Sequence, residues 1–180
     1  MSERGLVETV LTDDQWKSLK YKNTTVKKGA TKGEIMGLLE SSHIEDYSIG
    51  KVNGIETVMF PIKVSRNGID YALMIKITVP RICYYVKKGK GRNATKIKTY
   101  YEDVSWRVAW WYLKSKLEAV EYGVSDIMTE FMFNAFHVLS DGREVKLAEV
   151  VANNLGNLDK LALPDNSQRT YVDAVVTKIE

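Results

Sequence analysis

The stretch Asn53-Gly54-Ile55-Glu56-Thr57-Val58-Met59-Phe60-Pro61-Ile62-Lys63-Val64-Ser65-Arg66-Asn67-Gly68-Ile69-Asp70-Tyr71-Ala72-Leu73-Met74-Ile75-Lys76-Ile77-Thr78 decides the fold. Two Asn-Gly pairs bracket a run of alternating character. Asn-Gly suits a two-residue hairpin turn of type I′, which needs positive φ at both central positions. If Arg66 pairs with Ile69, then Val64 lies opposite Tyr71, Ile62 opposite Leu73, Phe60 opposite Ile75 and Val58 opposite Ile77. All these apolar residues share one face, and Thr57, Lys63, Ala72, Lys76 and Thr78 take the other. A slip of one residue would turn the apolar set to water, so parity and turn specify the same register. The first turn places Ile49 opposite Val58 on the same face. The prediction is a three-stranded antiparallel meander over residues 47–52, 55–66 and 69–79. Pro61 cannot donate a ladder bond, so it belongs beyond the short first strand or at a bulge.

Downstream, Ile82-Cys83-Tyr84-Tyr85-Val86 reads as a continuation of the third strand past Pro80, followed by a basic loop over 87–98. Thr99-x-x-Glu102 has the form of a capping box, with Asp103 suited to a helix N-terminus. Trp106, Trp110, Leu113, Leu117, Val120 and Val124 recur at helical spacing and predict one long amphipathic helix over 100–122, ended by Gly123. Ser125 caps a further helix through Ile127, Phe131 and Ala135. Asp141-Gly142 predicts a hairpin over 136–147, residues 147–155 a short helix before Gly156, and Tyr171–Ile179 a last strand. Upstream, Thr31-x-x-Glu34 reads as another capping box, opening a helix with Ile35, Leu38 and Leu39 on its apolar face. Residues 1–30 read as a basic, partly irregular arm, with Asp13, Asp14 and Trp16 as the start of a short helix. The fold class is therefore α+β: a helix, a meander packed on one long helix, and a smaller C-terminal α/β segment, with 31–180 as a single domain.

The 180 residues are 44% hydrophobic and 27% charged, which excludes wholesale disorder and fibrous repeats. One cysteine, Cys83, excludes an internal disulfide and a multi-cysteine zinc site, and fits a reducing compartment. No apolar stretch reaches the ~18 residues of a membrane span, and the N-terminus lacks a signal-peptide pattern. The expected location is intracellular: the cytoplasm, or a host's cytoplasm for a viral protein.

The net charge of +3 is unevenly spread. Lys17, Lys20, Lys22, Lys27, Lys28 and Lys32 fall in 17–32, and Lys87, Lys88, Lys90, Arg92, Lys96 and Lys98 in 87–98, with no acid in either segment. Twelve of the 26 basic side chains lie in these 28 residues, which leaves 14 basic against 23 acidic groups elsewhere. An acidic body with two basic segments suits a polyanion, since each neutralised phosphate releases counterions. Tyr84, Tyr85, Tyr100 and Tyr101 flank the second segment. Rings that stack on bases, beside cations that follow the backbone, are what single-stranded nucleic acid needs. Solvated lysine loops that aid solubility are the plainer reading.

Other residues carry weaker signals. Trp106 and Trp110 belong to core packing, whereas Trp111 and Tyr112 widen the apolar surface toward a self-association face. Glu144-Val145-Lys146 resembles the Glu-x-Lys element of metal-dependent nucleases, in which the acid binds a divalent ion and the lysine steadies the phosphate. That chemistry needs an upstream acid, and nothing selects among Asp70, Asp126 and Asp141. Cys83, among apolar neighbours, reads as a buried thiol, and neither His43 nor His137 is placed beside it. No phosphate-loop, dinucleotide or His-Glu-x-x-His motif occurs, and no cofactor or metal is implied.

Trp106-Arg107, then Lys114-x-Lys116-Leu117-Glu118-Ala119-Val120-x-x-Gly123, then Glu130-Phe131 resemble a family of small proteins encoded by phages and prophages. That family has a short helix, a β-meander, a similar helix and a proline-containing C-terminus, to which Leu161-Ala162-Leu163-Pro164 corresponds. The likeness covers about 33–164, implies a viral or mobile-element origin, and carries no activity. In architecture alone, a three-stranded meander followed by a long helix is similar to the core of ring-forming single-strand annealing proteins, and no site transfers from fold analogy. The leading expectation is a non-enzymatic nucleic-acid-binding protein that favours single strands and self-associates. The alternative is a protein-interaction or assembly module, such as a structural subunit or an inhibitor of a host factor. An enzyme ranks third.

Overall fold

A computed structural model describes residues 8–66, 69–89, 94–138 and 143–155. The elements run β1 (Glu8–Val10), α1 (Asp13–Ser18), α2 (Lys28–Ser41), β2 (Ser48–Val52), β3 (Ile55–Arg66), β4 (Ile69–Thr78), β5 (Arg81–Lys88), β6 (Thr95–Tyr100), α3 (Glu102–Glu121), α4 (Ile127–Phe131), β7 (Ala135–Val138), β8 (Glu144–Lys146) and α5 (Leu147–Leu155). A five-stranded antiparallel sheet is ordered β2-β3-β4-β7-β8, and a three-stranded mixed sheet β1-β5-β6. The protein is of the α+β class. Two compact units divide it, residues 1–148 and 149–180, and of the second only 149–155 are described.

The meander has the register that alternation and turn chemistry specify. Phe60 pairs with Ile75, Val58 with Ile77 and with Ile49, and Arg66 with Ile69. Asn53 (φ 52°) and Gly54 (φ 81°) both take the positive φ of a type I′ turn. The second turn, Asn67-Gly68, lies outside the described residues. Val58, Phe60, Ile62, Ile75 and Ile77 are buried. Pro61 lies past the end of β2, whose last partner on β3 is Met59, so its missing N–H costs no ladder bond. The β7–β8 hairpin extends the meander, with Ala135 of β7 opposite Ile75 of β4.

The core forms where this sheet meets α2 and α3. Ile35 and Leu39 of α2, and Trp106, Ala109, Leu113 and Leu117 of α3, close over the apolar face. Phe131 adds an edge-on ring contact to Phe60 at 5.5 Å. α3 ends at Gly123 (φ 68°) in a Schellman motif: the N–H of Gly123 donates to the carbonyl of Val120, and that of Val124 to Ala119. Val124, past this stop, is 80% exposed and not part of the stripe.

Neither expected capping box forms. α2 starts three residues before Thr31, which therefore lies inside the first turn, buried, while Glu34 binds Arg107. The cap of α2 is tertiary, the backbone N–H of Lys28 donating to the Asp103 carboxylate at 2.8 Å. Thr99 stays in the β6 ladder opposite Tyr84, and Tyr101 occupies the N-cap position of α3. A capping box does form at Thr12 and Gln15 of α1. Asp126, rather than Ser125, caps α4, accepting from the N–H of Thr129 at 2.9 Å. The predicted arm also differs: β1 pairs in parallel with β5, and α1 docks through Trp16, which stacks on Tyr84 at 4.8 Å and 7°. Gly156 and the strand expected at 171–179 lie outside the described residues.

Candidate nucleic-acid interface

The basic loop expected over 87–98 is largely a β-ribbon. β5 runs to Lys88, in a different sheet from β4, and β6 starts at Thr95. Lys87 lies opposite Lys96, Tyr85 opposite Lys98, Val86 opposite Ile97 and Tyr84 opposite Thr99. Directly opposed residues of an antiparallel pair share a face, and successive residues alternate. One face thus carries Tyr85, Lys87, Lys96 and Lys98, and the other Tyr84, Val86, Lys88 and Ile97. β1 reaches only as far as Cys83, so among the described residues the ribbon beyond it has no third strand. Lys90 and Arg92 lie outside the described residues.

The four tyrosines separate into three covered rings and one open ring. Tyr84 lies under Trp16, and its hydroxyl donates to Asp13 at 3.1 Å; burial first, and then this carboxylate, push its pKa up. Tyr101 also meets Trp16, at 4.4 Å. Tyr100 carries the Arg81 guanidinium over its ring at 4.8 Å, and burial raises its pKa. Tyr85 alone is broadly accessible, at 45% exposure. Cys83, 1% exposed, occupies β5 opposite Tyr100, while His43, in the turn after α2, and His137, on β7, are exposed. No thiol–imidazole pair is brought together.

The cations divide likewise. Lys98 donates to Glu8 at 2.6 Å, which lowers the pKa of Glu8 and raises that of Lys98, and Arg81 lies 3.0 Å from the same carboxylate. Lys87, Lys88 and Lys96 have no acidic partner among the described residues. In 17–32, Lys17 pairs with Asp14, Lys27 with Asp103 and Lys28 with Glu102, Lys22 bonds the Lys17 carbonyl, and Lys32 lies over Trp106. Lys20 sits 5.6 Å from the ring of Trp111, which is 46% exposed.

Trp111 and Tyr112 do not make one surface. Tyr112 turns into a groove of about 530 Å³ beside β4, where its hydroxyl donates to Asn134 at 2.9 Å. Consecutive helical residues point about 100° apart, which separates them. Glu144 and Lys146 lie on β8 as expected, but Glu144 is ion-paired with Lys76 at 2.7 Å. Asp126 is held by Thr129, whose hydroxyl and backbone N–H lower its pKa, and Asp141 lies outside the described residues. No group of three or more metal-ligating side chains occurs among the described residues.

Sequence reasoning missed Glu8, Asp13 and Arg81 at this site, and assigned Trp16 no role in it. The capping box Thr12-x-x-Gln15 beside Trp16 was the available signal for the docked α1. No family model, no curated protein and no solved structure matches the chain. Among the described residues no helix is long and apolar enough to cross a membrane.

Proposed function

We propose that the protein binds nucleic acid, single strands in preference, through the face of the β5–β6 ribbon that bears Tyr85, Lys87, Lys96 and Lys98. The observation that carries this reading is the direct opposition of Lys87 and Lys96 on a ribbon with no described acid to relieve them. Like charges directly opposite each other destabilise a strand pair. A phosphate backbone lying across the pair would replace that repulsion with attraction and release counterions. Tyr85 supplies a platform for one unpaired base. The reading includes an intracellular protein of a virus or mobile element, as the Lys114–Val120 likeness suggests.

Fluorescence anisotropy with single- and double-stranded oligonucleotides at two salt concentrations tests the proposal. Binding should weaken with salt by a log–log slope of about 0.7 per neutralised phosphate on a single strand. Replacing the six cations of 87–98 by glutamine should leave little affinity. Unchanged binding in that variant would remove the ribbon from the account, and a preference for duplex would remove the single-strand part.

A second reading has one observation in its favour. Val86 and Ile97, opposed on the other face, are 38% and 43% exposed. An apolar cross-strand pair on an open ribbon suits a protein contact in an assembly. Val86→Thr with Ile97→Thr should then lower the oligomeric state in sedimentation, leaving oligonucleotide affinity intact.

A further inference from the structure

We infer that the concave surface around Trp111 is a second contact for the same strand, a pocket that stacks one unpaired base and holds its phosphate; this rests on the nucleic-acid reading above. The pocket, about 260 Å³, is lined by Lys20, Tyr21, Trp110, Trp111, Lys114 and Glu118, among others. That is below the roughly 300–1,000 Å³ of typical small-molecule sites and suits a single ring system. The Lys20 ammonium has no acidic partner among the described residues and stands between Tyr21 and Trp111, 5.6 Å from each ring centroid. Lys114 lies 5.4 Å from Trp110 and 3.3 Å from Glu118. Trp110 is roofed by the Arg107 guanidinium at 4.0 Å, whereas Trp111 is 46% exposed and offers its ring to a base beside Lys20. The buried indole N–H of Trp110 has no hydrogen-bond partner among the described residues.

The pocket lies along α3 from the ribbon, linked by the N-terminal segment. Trp16 touches Tyr101 at the start of α3, and Tyr21 touches Trp110. From residue 101 to 110 a helix rises about 14 Å, and five residues of chain reach at most about 17 Å. The segment 16–21 therefore runs beside the first half of α3 and carries Lys17 and Lys20 from the ribbon end toward Trp111. Each of the two basic segments would supply part of one track. Neutral or basic partners gain little from such a surface, whereas rings interleaved with cations suit both the bases and the backbone of a single strand.

The test uses the full chain and oligothymidylates of graded length in the anisotropy assay. Trp111→Ala should weaken binding of long oligonucleotides about 5- to 150-fold, the range for losing one stacked base. Oligonucleotides too short to leave the ribbon should be unaffected. Lys20→Gln with Lys114→Gln should reduce the salt slope by about 1.4. That double variant leaves the rings of Trp110 and Trp111 in place and decides the matter if Trp111→Ala misfolds. No binding by the unaltered protein would sink the nucleic-acid reading and this site with it. Binding that depends on the ribbon cations but is indifferent to both pocket variants would overturn this site alone. So would a Trp111→Ala variant that loses self-association at unchanged affinity.

Discussion

Lys87→Glu should make the protein more stable and a poorer binder at once. Lys87 and Lys96 occupy directly opposed positions on the ribbon. Opposed side chains have Cβ atoms about 5 Å apart, and cross-strand charge pairs are worth roughly 0.2–1 kcal/mol. Both residues are exposed, so solvent screening puts the repulsion at the low end. The substitution removes the repulsion and installs an attraction, for a gain of about 0.5 kcal/mol in low salt. A shift of 1 kcal/mol moves Tm by about 2–4 °C in a chain of this size, so the rise should be about 1–2 °C and fade in 1 M salt. Binding should move the other way. The change takes one cation from the track and adds one anion, so the salt slope for single strands should fall by about 1.4. Between 50 and 200 mM salt, that makes the unaltered protein's affinity fall about sevenfold more than the variant's. Thermal melts and anisotropy titrations on the same preparations read both effects. A variant that is less stable and binds equally well would refute the reasoning, since Lys87 would then be held by a contact of its own.

The remaining expectations concern how the scaffold is held. Asp103→Ala should cost about 1 kcal/mol in urea unfolding, because it removes the acceptor that caps α2, while Asp103→Asn should recover most of the loss. His43→Gly should stabilise by about 1 kcal/mol or less in the same assay, since His43 sits at φ 59° in the Schellman motif that ends α2, where glycine has no steric penalty. Asp126 titrates below its ordinary 3.8 in the folded state because Thr129 bonds its ionised form. A depressed folded pKa contributes stability above the unfolded value and loses it as pH falls through the folded one. The Tm deficit of Asp126→Ala should therefore be present at neutral pH and vanish in strong acid, and an undiminished deficit there would count against the cap.

The readable parts were those specified by neighbours in sequence. The meander carries a turn signal and a period-2 pattern that agree, so the pairing of Phe60 with Ile75 follows from the sequence. The α3 stripe was readable for the same reason, apart from Val124, which falls beyond the Gly123 stop. The ribbon is hard to read because its charge overshadows a weak strand signal: Thr95-Lys96-Ile97-Lys98-Thr99 is β-prone, but the face opposite its lysines carries a single apolar residue, Ile97, between two threonines. The two absent capping boxes show the limit of a local motif. Thr31 and Glu34 have the required spacing, yet Asp103, distant in sequence, satisfies the same helix end and shifts its start to Lys28.

By itself, the sequence determined the fold class, the register of the meander, the long helix and the presence of two basic segments, because turn geometry, hydrophobic period and composition are local properties. Only the tertiary structure decided which charges and rings remain available. Tyr84, Tyr100 and Tyr101 are covered by Trp16 or Arg81, Lys98 is shared with Glu8, and Tyr112 is turned away from Trp111. Exposure and pairing depend on what packs from far along the chain, and no window of sequence contains both partners.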